Sequence, residues 1–138
     1  MNEMLRTFLK FATLGVTSEI VFTSLYQAVG DFRGNKKVDF SLKGYSYAWM
    51  IPIYGSVAVL GPALFVPLQG VFILWRLLIY TLVLFLIEYV TGWMLLKTTG
   101  KCPWHYESRW HIHHLVNLSY TPFWMFFSAM VEYFYFHY

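Results

Sequence analysis

Residues 45–96 read YSYAWMIPIYGSVAVLGPALFVPLQGVFILWRLLIYTLVLFLIEYVTGWMLL, an almost unbroken apolar run. A helix rises about 1.5 Å per residue and a bilayer's hydrocarbon core is about 30 Å thick, so the run is far too long for one crossing. Pro67, Gln69 and Gly70 supply the turn. The predicted spans are therefore residues 48–66 and 71–96. Pro52, Gly55, Gly61 and Pro62 fall inside the first of these. Each proline removes a backbone donor, and the groups it frees must find partners within the protein, so this helix is expected to be kinked or broken.

Working outward, residues 8–29 form a further apolar stretch that ends near Gly30. Arg6 and Lys10 precede it, as in a signal peptide, but Glu19 interrupts it and no small-x-small cleavage site follows. It reads as a retained first span. The polar segment Asp31–Gly44 follows, with Arg33, Lys36, Lys37 and Lys43. On the other flank, residues 97–119 form a second polar loop. Thr121 and Pro122 suit the N-cap and first turn of a last helix reaching Tyr138. Its tail, Tyr133-Phe-Tyr-Phe-His-Tyr138, has the character of an interfacial aromatic belt.

The expected fold class is thus an all-α integral membrane protein. Its four transmembrane helices form a bundle in a single transmembrane domain, residues 1–138. Composition agrees: 58% of residues are hydrophobic, 22% aromatic and 12% charged, against about 25% charged in soluble domains. A soluble chain this short could not hide so much apolar surface.

The net charge of +3 is dispersed through the gaps between apolar runs rather than gathered in a patch, which gives nucleic-acid binding no support. Cys102 is the sole cysteine, so no internal disulfide can form. No cofactor is called for. The implied partners are the lipid bilayer and either another membrane protein or a second copy of this chain. Arg6, Lys10 and Arg76 fall on the side of the termini. Arg33, Lys36, Lys37, Lys43, Lys97, Lys101 and Arg109 fall on the other. The positive-inside rule then places loops 30–47 and 97–119 in the cytoplasm and the termini outside, in an inner or plasma membrane.

The two halves, about 8–66 and 71–138, resemble each other. Glu19-Ile-Val21 and Glu88-Tyr-Val90 each lie mid-span. Ser46-Tyr-Ala-Trp49-Met50 and Ser119-Tyr-Thr-Pro-Phe-Trp124-Met125 each open the following helix. In a four-span chain the first and third helices run the same way, so this would be a parallel repeat of helix-loop-helix halves. It would place Glu19 and Glu88 at similar depth.

A charge at mid-bilayer costs a few kcal/mol on insertion scales, so Glu19, Glu88 and Glu132 should face protein. Gly15, Glu19, Thr23 and Tyr26 share one helical stripe; Thr81, Glu88, Thr91 and Gly92 share another. Two readings fit. Glu19 and Glu88, with Thr23 and Thr91, line a polar intramembrane site for a proton, a cation or a headgroup. Alternatively each is a hydrogen-bonded packing residue. Glu132, near its helix end, suits an interfacial ion pair with Lys10.

His105, His111, His113 and His114 crowd into ten residues with Glu107. Imidazole and carboxylate are metal-ligand types, and His111-Ile-His113-His114 looks like one histidine box of membrane desaturases. Those enzymes carry several boxes and this chain has no second one. The spacing matches no zinc motif either, so an amphipathic interfacial loop is the favoured reading and no metal is assigned.

Several motifs in order carry a family resemblance: Phe8 to Ser24 with Glu19, Trp49-Met-Ile-Pro-Ile-Tyr-Gly55, Glu88-Tyr-Val-Thr-Gly-Trp93, Cys102-Pro-Trp-His-Tyr106 and Tyr120-Thr-Pro-Phe-Trp124. Nearly the whole chain resembles the bacterial ABC-transporter type IV, or CmpB-like, membrane proteins and their animal relatives of the transmembrane protein 229 kind. That resemblance implies a small helical membrane protein and lets roles carry over to Glu19, Glu88, Trp104, Tyr106 and Trp124. The family's Trp-Asp-Tyr-Ser reads Trp104-His105-Tyr106-Glu107 here, so its aspartate does not carry over. No phosphate-binding loop is present, which limits the chain to the membrane part of any ATP-driven system. Three functions follow in descending order: a transport-associated, permease-like subunit; a structural or accessory subunit of a larger membrane complex; and an intramembrane lipid-modifying enzyme.

Overall fold

The computed structural model describes residues 2–34 and 36–138. It is 71% helical, with little sheet. Helix α1 spans Glu3–Arg33, α2 Met50–Gly55, α3 Val57–Leu68, α4 Ile73–Thr99 and α5 Thr121–His137. Among the described residues three stretches are long and apolar enough to cross a membrane: Glu3–Arg33, Met50–Leu68 and Ile73–Thr99. Helix α5 has 17 residues, about 26 Å of rise, and falls just short of the roughly 20 residues a span needs.

The helix ends follow local chemistry. The Asn2 side chain caps α1 by accepting the Met4 N–H at 3.1 Å. Gly100, at φ 75°, closes α4 in the left-handed conformation open to glycine. The break expected from Pro52, Gly55, Gly61 and Pro62 lies at Ser56, between α2 and α3, while Pro62 is carried inside α3. There the Ser56 N–H reaches back to the carbonyls of Pro52 and Ile53, and its hydroxyl donates to Ile53 O at 2.6 Å. These contacts keep the interruption satisfied within the chain, as lipid demands.

The chain divides into two compact units, one ending at Val59 and the other running Leu60–Tyr138. The boundary lies inside α3, ahead of the Pro67–Gly70 turn where the sequence placed it.

In the first unit α2 packs on α1. Phe11, Ala12, Met50, Ile53 and Tyr54 are buried there. The Tyr54 ring lies on Gly15 and the Phe8 ring on Gly55, so closely that a Cβ at either glycine would collide with them. Small residues let the two backbones approach.

In the second unit α5 packs on α4. Phe65 meets Tyr80 and Tyr135 edge-on, with ring centroids 4.9 and 5.0 Å apart. Between α4 and α5 lies a two-stranded antiparallel hairpin, β1 His111–Ile112 and β2 Val116–Asn117, then a 3₁₀ turn, Leu118–Tyr120. Sequence reading gave this region as loop. The hairpin turn forces His113 and His114 to φ 48° and 60°, a region that glycine and asparagine usually fill.

Candidate functional site: two glutamates held by returning loops

Glu19 sits midway along α1. Past Arg33 the chain turns back along this helix until Gly44 lies against the carbonyl of Ile20, with no space for a side chain. The next two residues lock that approach. The Tyr45 N–H donates to Thr23 Oγ1 at 2.9 Å, and the Thr23 hydroxyl lies 3.0 Å from the Tyr45 carbonyl. Ser46 Oγ then donates to Glu19 Oε2 at 2.7 Å, and the Tyr54 hydroxyl reaches the same oxygen at 3.2 Å. Glu19 is half-buried.

The second unit repeats the plan with different parts. Glu88 is 3% exposed, on α4, and Tyr106 donates its hydroxyl to Oε1 at 2.7 Å. Tyr106 is itself fixed by His114. Its N–H donates to the His114 carbonyl at 3.0 Å, and its carbonyl lies 2.8 Å from His114 Nδ1. Beside it, buried Trp104 donates Nε1–H to Leu115 O at 3.1 Å. Trp104, Leu115 and Cys102 all close over Gly92, so that a Cβ there would fit only if these side chains gave way by a few tenths of an ångström. Asn117 Oδ1 accepts from Ser108 and Ser119 and ties off the loop.

The expected stripes are realised in part. Gly15 and Glu19 face protein and Thr23 fastens the loop, but Tyr26 is exposed. On α4, Thr81, Glu88 and Gly92 are buried, while Thr91 is half-buried. Ser46, Tyr54 and Tyr106 as carboxylate donors were not foreseen. They lie 27, 35 and 18 residues along the chain from the glutamates they serve.

Glu132 was expected to pair with Lys10; the cation at its carboxylate is Arg76. Arg76 Nε stands 2.9 Å from Glu132 Oε1 in an ion pair whose N–H points off that line, and Nη1 donates to Gln69 O at 2.9 Å. The Tyr80 hydroxyl donates to the same Glu132 oxygen at 2.9 Å. A buried acid with both a cation and a phenol on it is compensated, which suits a packing role. Lys10 belongs to the first unit, where its Nζ lies 4.9 Å above the Phe11 ring centre.

The loop imidazoles stack. His114 lies between His111 at 3.8 Å and His105 at 4.4 Å, ring centre to ring centre. His113 points away to the Tyr89 hydroxyl at 2.8 Å. Stacked rings direct their nitrogen lone pairs outward in parallel planes rather than toward a common point. Among the described residues no group of three or more His, Cys, Asp or Glu is placed to hold a metal ion. Glu107 is exposed.

Burial, with a lesser contribution from the Glu88 charge, raises the Cys102 thiol above its ordinary range, so it is a poor nucleophile. Partial desolvation, together with the neighbouring His114, His105 and His113, holds His111 below the usual imidazole value.

A family described as "Putative ABC-transporter type IV" matches residues 6–138. No solved structure matches the chain. With the match running over nearly its whole length, the chain belongs to this ABC-transporter type IV family of membrane proteins.

Proposed function

We propose that the protein is a transport-associated, permease-like membrane subunit whose polar sites are Glu19 and Glu88. The observation that carries this reading is the way each carboxylate is held. In both units its donors come from chain that returns along the long helix, not from the helix itself. Displacing the returning segment would free an acid at membrane depth to take a proton or a cation. The family description supports a partnership with an ATP-driven system.

The test starts with purification from native membranes in mild detergent. An ATPase at fixed stoichiometry is the expected companion. Glu19→Gln and Glu88→Gln should both assemble with it, yet lower its coupled ATPase activity at least tenfold in proteoliposomes. A non-ATPase membrane partner would make the chain an accessory subunit instead. Unchanged coupling in both variants would remove the glutamates from the mechanism.

A further inference from the structure

Helix α1 has 31 residues, about 46 Å, against about 30 Å of hydrocarbon. Its surplus does not stand bare in water. Gly44 reaches Ile20, thirteen residues short of Arg33, so residues 36–43 descend beside roughly the last 20 Å of the helix. A helix about 16 Å longer than the hydrocarbon core must carry part of its length through the headgroup region.

Its surface is unusual for a polar loop. Phe40 is 84% exposed and Phe32 75% exposed, and Leu42 is exposed too. Arg33, Lys36, Lys37 and Lys43 are all exposed around them. The segment is also built rather than slack. Asp39 accepts the Ser41 N–H at 2.9 Å, the Leu42 N–H donates to Asp39 O at 3.3 Å, and Lys43 stands 3.5 Å from Asp39. This closed turn holds Leu42 at φ 48°, strained for leucine, and presents Phe40 at its tip.

An exposed aromatic tip on a segment that also carries exposed ammonium and guanidinium groups has the chemistry of an interfacial lipid anchor. We infer that residues 32–43 dock on anionic phospholipid of the protein's own membrane. Phe40 and Leu42 enter the glycerol and upper acyl region, while Arg33, Lys36 and Lys37 hold lipid phosphates. Asp39 does not oppose this, because its charge is spent on the Ser41 amide and on Lys43.

Native mass spectrometry of the full chain with phosphatidylglycerol or phosphatidylcholine tests the charge component. The wild type should retain phosphatidylglycerol at least fivefold better, and inorganic phosphate should not displace it. The Arg33→Gln, Lys36→Gln, Lys37→Gln triple variant, which leaves the Asp39–Lys43 pair in place, should fall to parity at unchanged helical content. Equal retention of the two lipids by the wild type, or displacement by free phosphate, would overturn the proposal. The depth component uses Phe40→Cys with Cys102→Ser, spin-labelled in phosphatidylglycerol nanodiscs. The label should be reached by oxygen and shielded from a soluble nickel chelate; the reverse pattern would also overturn it.

Discussion

The two glutamates share a plan but differ in how firmly it is executed. Glu19 is half-buried and takes two donors, one from a loop with no regular structure and one from α2, the latter at 3.2 Å. Glu88 is 3% exposed and has the short 2.7 Å bond from Tyr106, whose backbone is pinned to a hairpin. The tryptophans that occupy matching places in the two halves differ in the same sense. Trp49 is 46% exposed and Trp124 is 7% exposed. The site in the second half is the more tightly packed of the two, and that in the first half the looser. A similar way of holding a carboxylate can thus sit in surroundings of unequal rigidity.

The tryptophan pair gives the widest expected gap. Trp124→Ala should cost about 3–5 kcal/mol through the cavity it leaves, while Trp49→Ala should cost less than about 1 kcal/mol. Thermal unfolding in detergent measures both, and equal losses would end the claim that the halves differ in packing. The tyrosine pair is narrower. Tyr106→Phe removes the hydroxyl from a buried carboxylate and should cost about 1.5–3 kcal/mol; Tyr54→Phe leaves Ser46 in place and should cost about 1 kcal/mol or less. A larger loss for Tyr54→Phe would reverse the ranking of the two sites.

The smallest effect separates the loops by pH. The fold lowers the His111 pKa, so the folded loop binds fewer protons than the unfolded one just below the ordinary value of about 6.5. Its contribution is therefore whole above about pH 6.5 and is lost as pH falls through the depressed folded value. Hydrogen exchange at residues 104–117, corrected for intrinsic rates, should quicken between pH 7.5 and 5.5. Residues 36–46 contain no histidine, and the lowered Asp39 pKa acts only far below this range, so they should not respond. Equal response of the two loops would break the distinction.

Much of the fold was legible because lipid imposes a simple pattern. The run 45–96 announced two crossings, the prolines and glycines inside its first part announced a break, and Thr121-Pro122 marked the start of α5 to within one residue, the N-cap being Tyr120 rather than Thr121. Of the candidate site, the sequence offered the acids Glu19 and Glu88 but not the groups that hold them. Their donors are distant in sequence and sit in segments without periodicity, so nothing local marks Ser46 or Tyr106 as a partner. The hairpin was hidden because histidines occupy its left-handed turn positions, where glycine or asparagine would have signalled it. Lys10 was matched to Glu132 by expected depth alone, and depth does not specify which side chains touch.

The long reach of these hydrogen bonds also sets a schedule during synthesis. At about 5–20 residues per second, Glu19 emerges from the ribosome roughly 1–5 s before Ser46, and Tyr54 comes later still. Glu88 waits only about 1–4 s for Tyr106. Each acid thus reaches the insertion machinery before its donors have emerged beside it. The first helix, with the longer wait, must enter the membrane while its carboxylate is still served by water or by the machinery itself.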